Sequence, residues 1–139
     1  MPTPNIKEKG TKEDPWLLKT PSGESEFTAY RDETSDPPAV VVKVGKTELR
    51  YHLRCLEDLQ AMLRSHGDWV LLGNADEQKP AKEGTVEGWA RSPNNPVGGW
   101  YGLKKGLRGR FATYIPPIME ALDLAAVEHN PRNNRMRAL

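Results

Sequence analysis

The stretch AVVVKVGKTELRYHL, residues 39–53, decides the fold. Apolar residues alternate with others in both of its halves, which is the pattern of two strands that each bury one face. The alternating positions are Val40, Val42, Val44, Leu49, Tyr51 and Leu53. Gly45 and Lys46 separate the halves, and Gly at the first central position of a two-residue loop favours a type II′ turn. The stretch therefore predicts an antiparallel β-hairpin.

On the N-terminal side of this hairpin, Glu26–Arg31 alternates as a further short strand. The apolar group Trp16–Leu18 precedes a turn signal, Pro21–Gly23. Together these segments predict a small antiparallel sheet of three or four strands.

On the C-terminal side the period changes to that of a helix. Apolar residues recur at helical spacing from Leu56 to Leu63, and Gly67 follows as a helix stop. Trp69–Leu72 is either a strand or a plug of the core. Thr85 is a plausible N-cap for a short helix, Val86–Arg91.

The last third of the chain predicts two helices and a hairpin. Leu103, Leu107 and Phe111 fit one face of a helix over 103–114, and Pro116-Pro117 is expected to open the next helix. Residues 127–139 read as a terminal hairpin around the turn 130–134. The expected fold is α+β: an N-terminal antiparallel sheet, three or four short helices and a C-terminal β-hairpin, with a winged-helix-like order in the second half.

The 139 residues predict one domain, 14–139, after a polar, disordered tail, 1–13. Apolar residues make up only 37% of the chain and no long apolar run occurs, which excludes a membrane span. The N-terminus lacks the apolar segment of a secretory signal. The single cysteine, Cys55, cannot form an intrachain disulfide, so a cytoplasmic location is expected.

Charge is distributed unevenly along the chain. Residues 98–139 carry seven Lys and Arg against three Asp and Glu, whereas the preceding segments are slightly acidic. Two stretches, 98–115 and 129–139, contain no acid. The candidate contacts to an anionic partner are Lys104, Lys105, Arg108, Arg110, Arg132, Arg135 and Arg137. The alternative is that these cations lie on an ordinary solvent-exposed surface and bind no partner.

Aromatic residues interleave with the first of these basic stretches. Trp100 and Tyr101 precede Lys104, so rings could stack on bases while cations contact phosphates. The alternative, which we favour for the rings, is that they belong to the core.

Signals of catalysis or of metal and cofactor binding are weak. Gly45-Lys46-Thr47 resembles the end of a phosphate-binding P-loop, but Val40 stands where that loop needs glycine. The histidines and Cys55 do not form the paired spacing of a zinc site, so neither a metal nor a cofactor is expected. Acid pairs such as Asp76-Glu77 are adjacent in sequence and are expected to diverge.

Four segments together resemble a group of small uncharacterised bacterial proteins of unknown function. They are Asp14–Trp16, Ala75–Lys82, Asn95–Gly106 and His129–Arg135. The resemblance spans roughly residues 11–139. It implies a bacterial, cytoplasmic protein, and it carries over no functional residue.

Three functions stay open at this point. The first is a non-catalytic binding module whose basic C-terminal surface contacts nucleic acid or another anionic partner, such as an acidic protein. The second is a protein-interaction or oligomerising domain without nucleic-acid binding. The third is an enzyme with an unrecognised site, for which the sequence offers no support.

Overall fold

The computed structural model describes residues 9–139 and has an α+β fold with two antiparallel sheets. The first sheet contains four strands in chain order: β1 (Trp16–Lys19), β2 (Glu26–Asp32), β3 (Ala39–Val44) and β4 (Thr47–His52). The predicted N-terminal sheet is confirmed, with four strands.

The hairpin between β3 and β4 has the expected turn. Val44 pairs with Thr47, which leaves Gly45 and Lys46 as a two-residue loop. Gly45 has a φ of 59°, whereas Lys46 has no positive φ. Positive φ at the first central residue alone is the pattern of a type II′ turn.

Helix α1 (Cys55–His66) follows the first sheet, as the spacing predicts. Its buried side includes Leu59 and Leu63, and Gly67 ends it in the left-handed conformation with its N–H bonded to the Leu63 carbonyl. That geometry is the usual glycine stop of a helix.

The second sheet contains the C-terminal hairpin and one further strand. Its order is β5 (Val70–Leu71), β7 (Arg135–Ala138) and β6 (Ala125–Val127), so the predicted hairpin is confirmed and β5 joins its free edge. Helix α1 packs against β7. Met136 of β7 is fully buried on that side, whereas Arg135 and Arg137 point to solvent.

Helix α2 (Val86–Trp89) is a single turn with the predicted cap. The Thr85 hydroxyl accepts the backbone N–H of Gly88 at 3.1 Å. Such a bond satisfies one of the orphan donors of a helix N-terminus.

The helix predicted over 103–114 is wrong. The structure has turns over 102–110, and α3 begins only at Phe111 and ends at Ala121. Arg110 has a φ of 62°, which breaks any helix at that point. Leu103 does not share a face with Phe111, because Leu103 packs beside Val41 on the opposite face of the first sheet.

Pro116 and Pro117 do not open a helix but lie inside α3. Each removes a helical hydrogen bond, which costs about 3 kcal/mol in an isolated helix. Every residue of α3 from Phe111 to Met119 is buried, so packing offsets this cost. The same burial leaves this helix no exposed face of the kind that a winged-helix recognition helix inserts into DNA.

One core connects the two sheets and the helices. Trp16 of β1, Tyr51 of β4, Phe111 of α3 and Met136 of β7 are each essentially inaccessible and belong to the same cluster. Because α3 contacts both β1 and β6, it is the element that joins the two sheets.

The predicted tail, 1–13, lies outside the described residues up to position 8. Its described part, 9–13, is not loose. The Gly10 carbonyl accepts the backbone N–H of Arg31 at 2.8 Å, and Gly10 is buried against the Trp16 ring. The polar, charged composition of this segment gave no sign of this contact. Gly10 can lie this close to the Trp16 ring because it has no side chain.

His129 ties the C-terminal hairpin to the first sheet. One ring nitrogen lies 2.9 Å from the Pro21 carbonyl, and the other lies 2.6 Å from a Glu120 carboxylate oxygen. Both neighbours are acceptors, so the protonated ring fits this site best. The hydrogen bond to Glu120 raises the pKa of His129 above its usual value.

The turn generates a test by matched substitution. Gly45→Ala should lower the free energy of unfolding by about 1–2 kcal/mol, because a side chain disfavours positive φ even where space is open. Lys46→Ala should be nearly neutral, and urea unfolding of both variants measures the difference. Equal effects would contradict a type II′ turn.

The histidine generates a test by pH. A raised folded-state pKa stabilises the fold fully below the unfolded value of about 6.5, and this contribution disappears as pH rises through the folded value. His129→Gln should therefore destabilise the chain more at pH 5.5 than at pH 9. Since the ring is half exposed, we expect a difference on the order of 0.5 kcal/mol. An effect of His129→Gln that does not change with pH in urea unfolding would refute a protonated His129 between Pro21 and Glu120.

Candidate nucleic-acid interface

The segment 75–82 and the basic loop 102–110 bind each other. The N–H of Arg110 donates to the Ala75 carbonyl at 3.0 Å. The Glu77 carboxylate accepts the N–H of Gly106 at 2.8 Å and that of Arg108 at 2.6 Å. The acids at 76 and 77, which the sequence presents only as a diverging pair, therefore hold the basic loop in shape.

Glu87 is a fully buried carboxylate at the centre of this arrangement. Its Oε1 accepts the N–H of Ala112 in the first turn of α3 at 3.1 Å and that of Ala75 at 3.4 Å. Its Oε2 lies 3.4 Å from Nε of Arg91. Burial raises the pKa of Glu87, and these donors oppose the rise. One side chain thus links α2, the segment at 75 and the start of α3.

Arg91, the partner of Glu87, binds the segment 75–79 through its side chain, and we call this pair with its bonds the buried clamp. Its guanidinium donates to the carbonyls of Lys79 at 2.7 Å, Ala75 at 2.7 Å and Asp76 at 2.9 Å. Its Cζ lies 4.5 Å from the centre of the Trp100 ring. Guanidinium suits this position because it offers five donors in a fixed plane.

The two candidate aromatic contacts have different positions. Tyr101 is fully buried, stacks on Trp89 at 5.0 Å and donates its hydroxyl proton to Asp58 at 2.8 Å, so its assignment as a base contact is wrong. Trp100 is half-buried, and the guanidiniums of Arg91 and Arg108 lie over its ring. One of these two cations, Arg91, is itself fixed by three backbone carbonyls and by Glu87.

The seven candidate cations fall into three groups by what they contact. Arg110 and Arg132 line one groove, Arg135 and Arg137 lie over the Trp69 ring, and Lys104, Lys105 and Arg108 lie in the loop 102–110. Two of them are paired with acids. Asp76 binds Arg110, which lowers the pKa of the Asp76 carboxyl, and Glu128 binds Arg135 at 2.8 Å.

We define the C-terminal groove as the cavity of about 700 Å³ that contains Arg110, Arg132 and Lys82 in its lining. Its walls are the turn 20–25, the segment 71–75, the first turn of α3 and the loop 131–134. One acid, Glu24, also lines it. Three cations and one acid thus line the groove, and one of the cations, Arg110, is paired with Asp76.

Asn134 shapes the tip of the C-terminal hairpin. Its side chain accepts the N–H of Asn130 at 2.6 Å and donates to the Asn130 carbonyl at 2.9 Å. Its own carbonyl accepts the N–H of Leu72 at 2.9 Å. These bonds close the loop and leave Arg132 exposed at its tip, facing the groove.

Beside the groove lies the solvent side of the second sheet, which we call the outer sheet face: Trp69, Leu71, Arg135 and Arg137. Leu71 is 43% exposed and also lines the groove. Leu71 and Arg135 are direct cross-strand partners. Side chains of such partners lie next to each other on one face, so the groove and the outer sheet face adjoin.

Sequence reasoning missed Lys82 and Trp69. Lys82 lies in a polar loop in which no pattern indicates what it faces. In a strand over residues 69–71, successive side chains point to opposite sides of the sheet, and Val70 is the buried one. That alternation is the signal that would have placed Trp69 on the solvent side.

A second cavity, of about 690 Å³, bears on the enzyme alternative. It is lined by His52, Arg54, Glu33 and Glu57 with several leucines and prolines. Burial lowers the pKa of His52, and its ring meets Tyr101 edge-on at 6.2 Å. Within residues 9–139 no hydrogen bond joins this imidazole to a carboxylate.

The buried clamp generates a test of the groove's foundation. Glu87→Gln keeps one oxygen to accept from Ala112 but removes the charge facing Arg91. We expect a loss of about 1–3 kcal/mol in the free energy of unfolding, because the remaining donors are buried. Glu83→Gln, in an exposed position nearby, is the control and should change little. Thermal or urea unfolding compares them, and similar stabilities would refute the role of Glu87.

Comparison with known proteins adds the family and no activity. No helix of residues 9–139 is long and apolar enough to cross a membrane. Neither a curated protein nor a solved structure matches the sequence. A family match covers residues 8–139, which includes the segment 75–82, the basic loop 102–110 and the hairpin tip 130–134. The chain therefore belongs to a family of unknown function, DUF6855.

Proposed function

We propose that the chain is a non-catalytic module that binds nucleic acid along the C-terminal groove and the outer sheet face. Phosphate contacts from Lys and Arg supply most of the affinity of such binding, so the first requirement is a run of exposed cations. A cytoplasmic location, which the single cysteine favours, agrees with that partner.

The observation that carries the proposal is the register of β5 and β7. Leu71, which lines the groove, is the direct partner of Arg135, and Arg137 lies two residues further on the same face. Cations therefore follow one another from Arg132 in the groove to Arg137 on the sheet. A linear polyanion is the partner that such a strip fits better than a compact anion.

The charges that remain after internal pairing favour the same partner. Among the described residues, Lys82, Arg132 and Arg137 form no ion pair with an acid, and Lys104 and Lys105 form none either. Arg110 and Arg135 are partly neutralised by Asp76 and Glu128. Because Lys82 and Arg132 also line the groove and Arg137 lies on the outer sheet face, we assign the principal phosphate contacts to these three.

The protein-interaction alternative also has one observation in its favour. β1 is an edge strand of the first sheet, and its Leu17 is 69% exposed. Exposed edges of this kind are templates for pairing with another chain. A dimer in sizing chromatography, together with no binding of nucleic acid, would favour this alternative.

The proposal is tested by the salt dependence of binding to a fluorescein-labelled duplex in an anisotropy titration. With three or four phosphate contacts, log affinity should fall with log salt at a slope of about −3 to −4. Charge reversal of Arg132 and Arg137 to Glu should flatten this slope by about two and leave the fold intact, since both are exposed.

The matched control reverses two exposed cations elsewhere, Lys12→Glu and Lys43→Glu, and changes net charge equally. Lys43 alternates with the buried Val42 and so faces away from the core. An equal effect of the two pairs would mean that net charge alone governs binding. A third variant with Lys104 and Lys105 reversed measures whether the loop 102–110 belongs to the surface. Absence of binding by the wild type at low salt, to the duplex and to a single strand of the same length, would overturn the proposal.

A further inference from the structure

Trp69 is a half-buried tryptophan on the solvent side of a sheet, and two cations hold it there. The guanidinium carbons of Arg135 and Arg137 lie 5.3 and 5.6 Å from the centre of its ring. These distances are within the range of cation–π attraction. The buried side of the same strands is filled by Val70 and Met136, so Trp69 is not needed to complete that side.

The two arginines differ in how firmly they are held. Glu128 fixes Arg135 through bonds to both Nε and a terminal nitrogen, at 2.9 and 2.8 Å. Arg137 forms no ion pair with an acid of the described residues. Arg135 can therefore remain on the ring while Arg137 moves to a phosphate, which would uncover part of the aromatic surface.

We infer that the outer sheet face selects single-stranded nucleic acid, with one unpaired base stacked on Trp69 and its flanking phosphates bound by Arg137 and Arg132. This rests on the proposed function and names its substrate class. Aromatic side chains bind bases of a single strand because the π-faces are accessible there, whereas in a duplex each base is stacked on its neighbours.

Trp100 also has arginines over its ring, but it differs from Trp69 in how they are anchored. The arginine nearest to it, Arg91, is anchored by three carbonyls and the buried Glu87. That guanidinium cannot leave Trp100 without breaking the clamp. At each tryptophan the second arginine, Arg108 or Arg137, makes no side-chain bond to an acid or carbonyl of the described residues. Arg137 is exposed, whereas Arg108 is half-buried with its Nε enclosed, so Arg137 is the one that can turn from its ring to a phosphate in solvent.

The experiment compares two probes on the full chain: a fluorescein-labelled twelve-residue oligothymidylate and a twelve-base-pair duplex. The wild type should bind the single strand more tightly. Trp69→Ala should weaken binding of the single strand roughly 5- to 150-fold, the range for loss of one stacked base, and change binding of the duplex less than about twofold. Trp69→Phe should fall between them. Leu17→Ala, at an exposed leucine of β1 outside the groove lining and the outer sheet face, is the control and should leave the preference unchanged.

A second measurement guards against loss of fold in the alanine variant. Oligothymidylate should quench the tryptophan fluorescence of the wild type, and most of this quenching should vanish in Trp69→Phe, which keeps a ring at the site. Equal affinity of the wild type for both probes, or an equal loss for both in the Trp69 variants, would overturn this inference and leave the proposed function standing. Failure of the wild type to bind either probe would overturn the proposed function itself.

Discussion

The buried pair of Glu87 and Arg91 is the constraint on which the rest of the structure depends. A buried carboxylate is costly unless donors surround it, and this one finds two backbone N–H groups and a guanidinium. Helix α2 has only four residues, too few to be stable alone, so tertiary contacts must hold it. What the pair stabilises in return is irregular chain: the segment at 75–79 and the first turn of α3.

The groove inherits its geometry from that pair. Glu87 fixes the N–H of Ala112, and Arg110 just before it adopts a left-handed conformation that directs its side chain towards Asp76. Asn134 fixes the opposite wall through its bonds to Asn130 and Leu72. Walls already held by such hydrogen bonds do not need to be ordered when a partner binds, which would favour affinity.

The sequence predicts those elements whose signals are local. The hairpin at Gly45, helix α1 and the Thr85 cap all depend on residues within a few positions of one another. The helix predicted over 103–114 is absent although Leu103, Leu107 and Phe111 have helical spacing in the sequence, because an acid from a distant segment binds this stretch. Glu77, 29 residues away from Gly106, holds that stretch as a loop. No local pattern reports a carboxylate that arrives from another segment.

The candidate site was predictable in its charges and not in their partners. Asp76 and Glu77, from the acidic middle of the chain, bind the basic loop 102–110. The stretch 98–115 contains no acid in sequence, but acids therefore lie beside it in the fold. The aromatic residue beside exposed cations is also not the one that the sequence predicts. Tyr101 is buried in the core, and Trp69 lies beside Arg135 and Arg137. Cations and ring meet there because β5 pairs with β7, which are distant in sequence. The register of a two-residue strand, rather than the clustering of charge along the chain, therefore determines where cations and a half-exposed ring lie side by side.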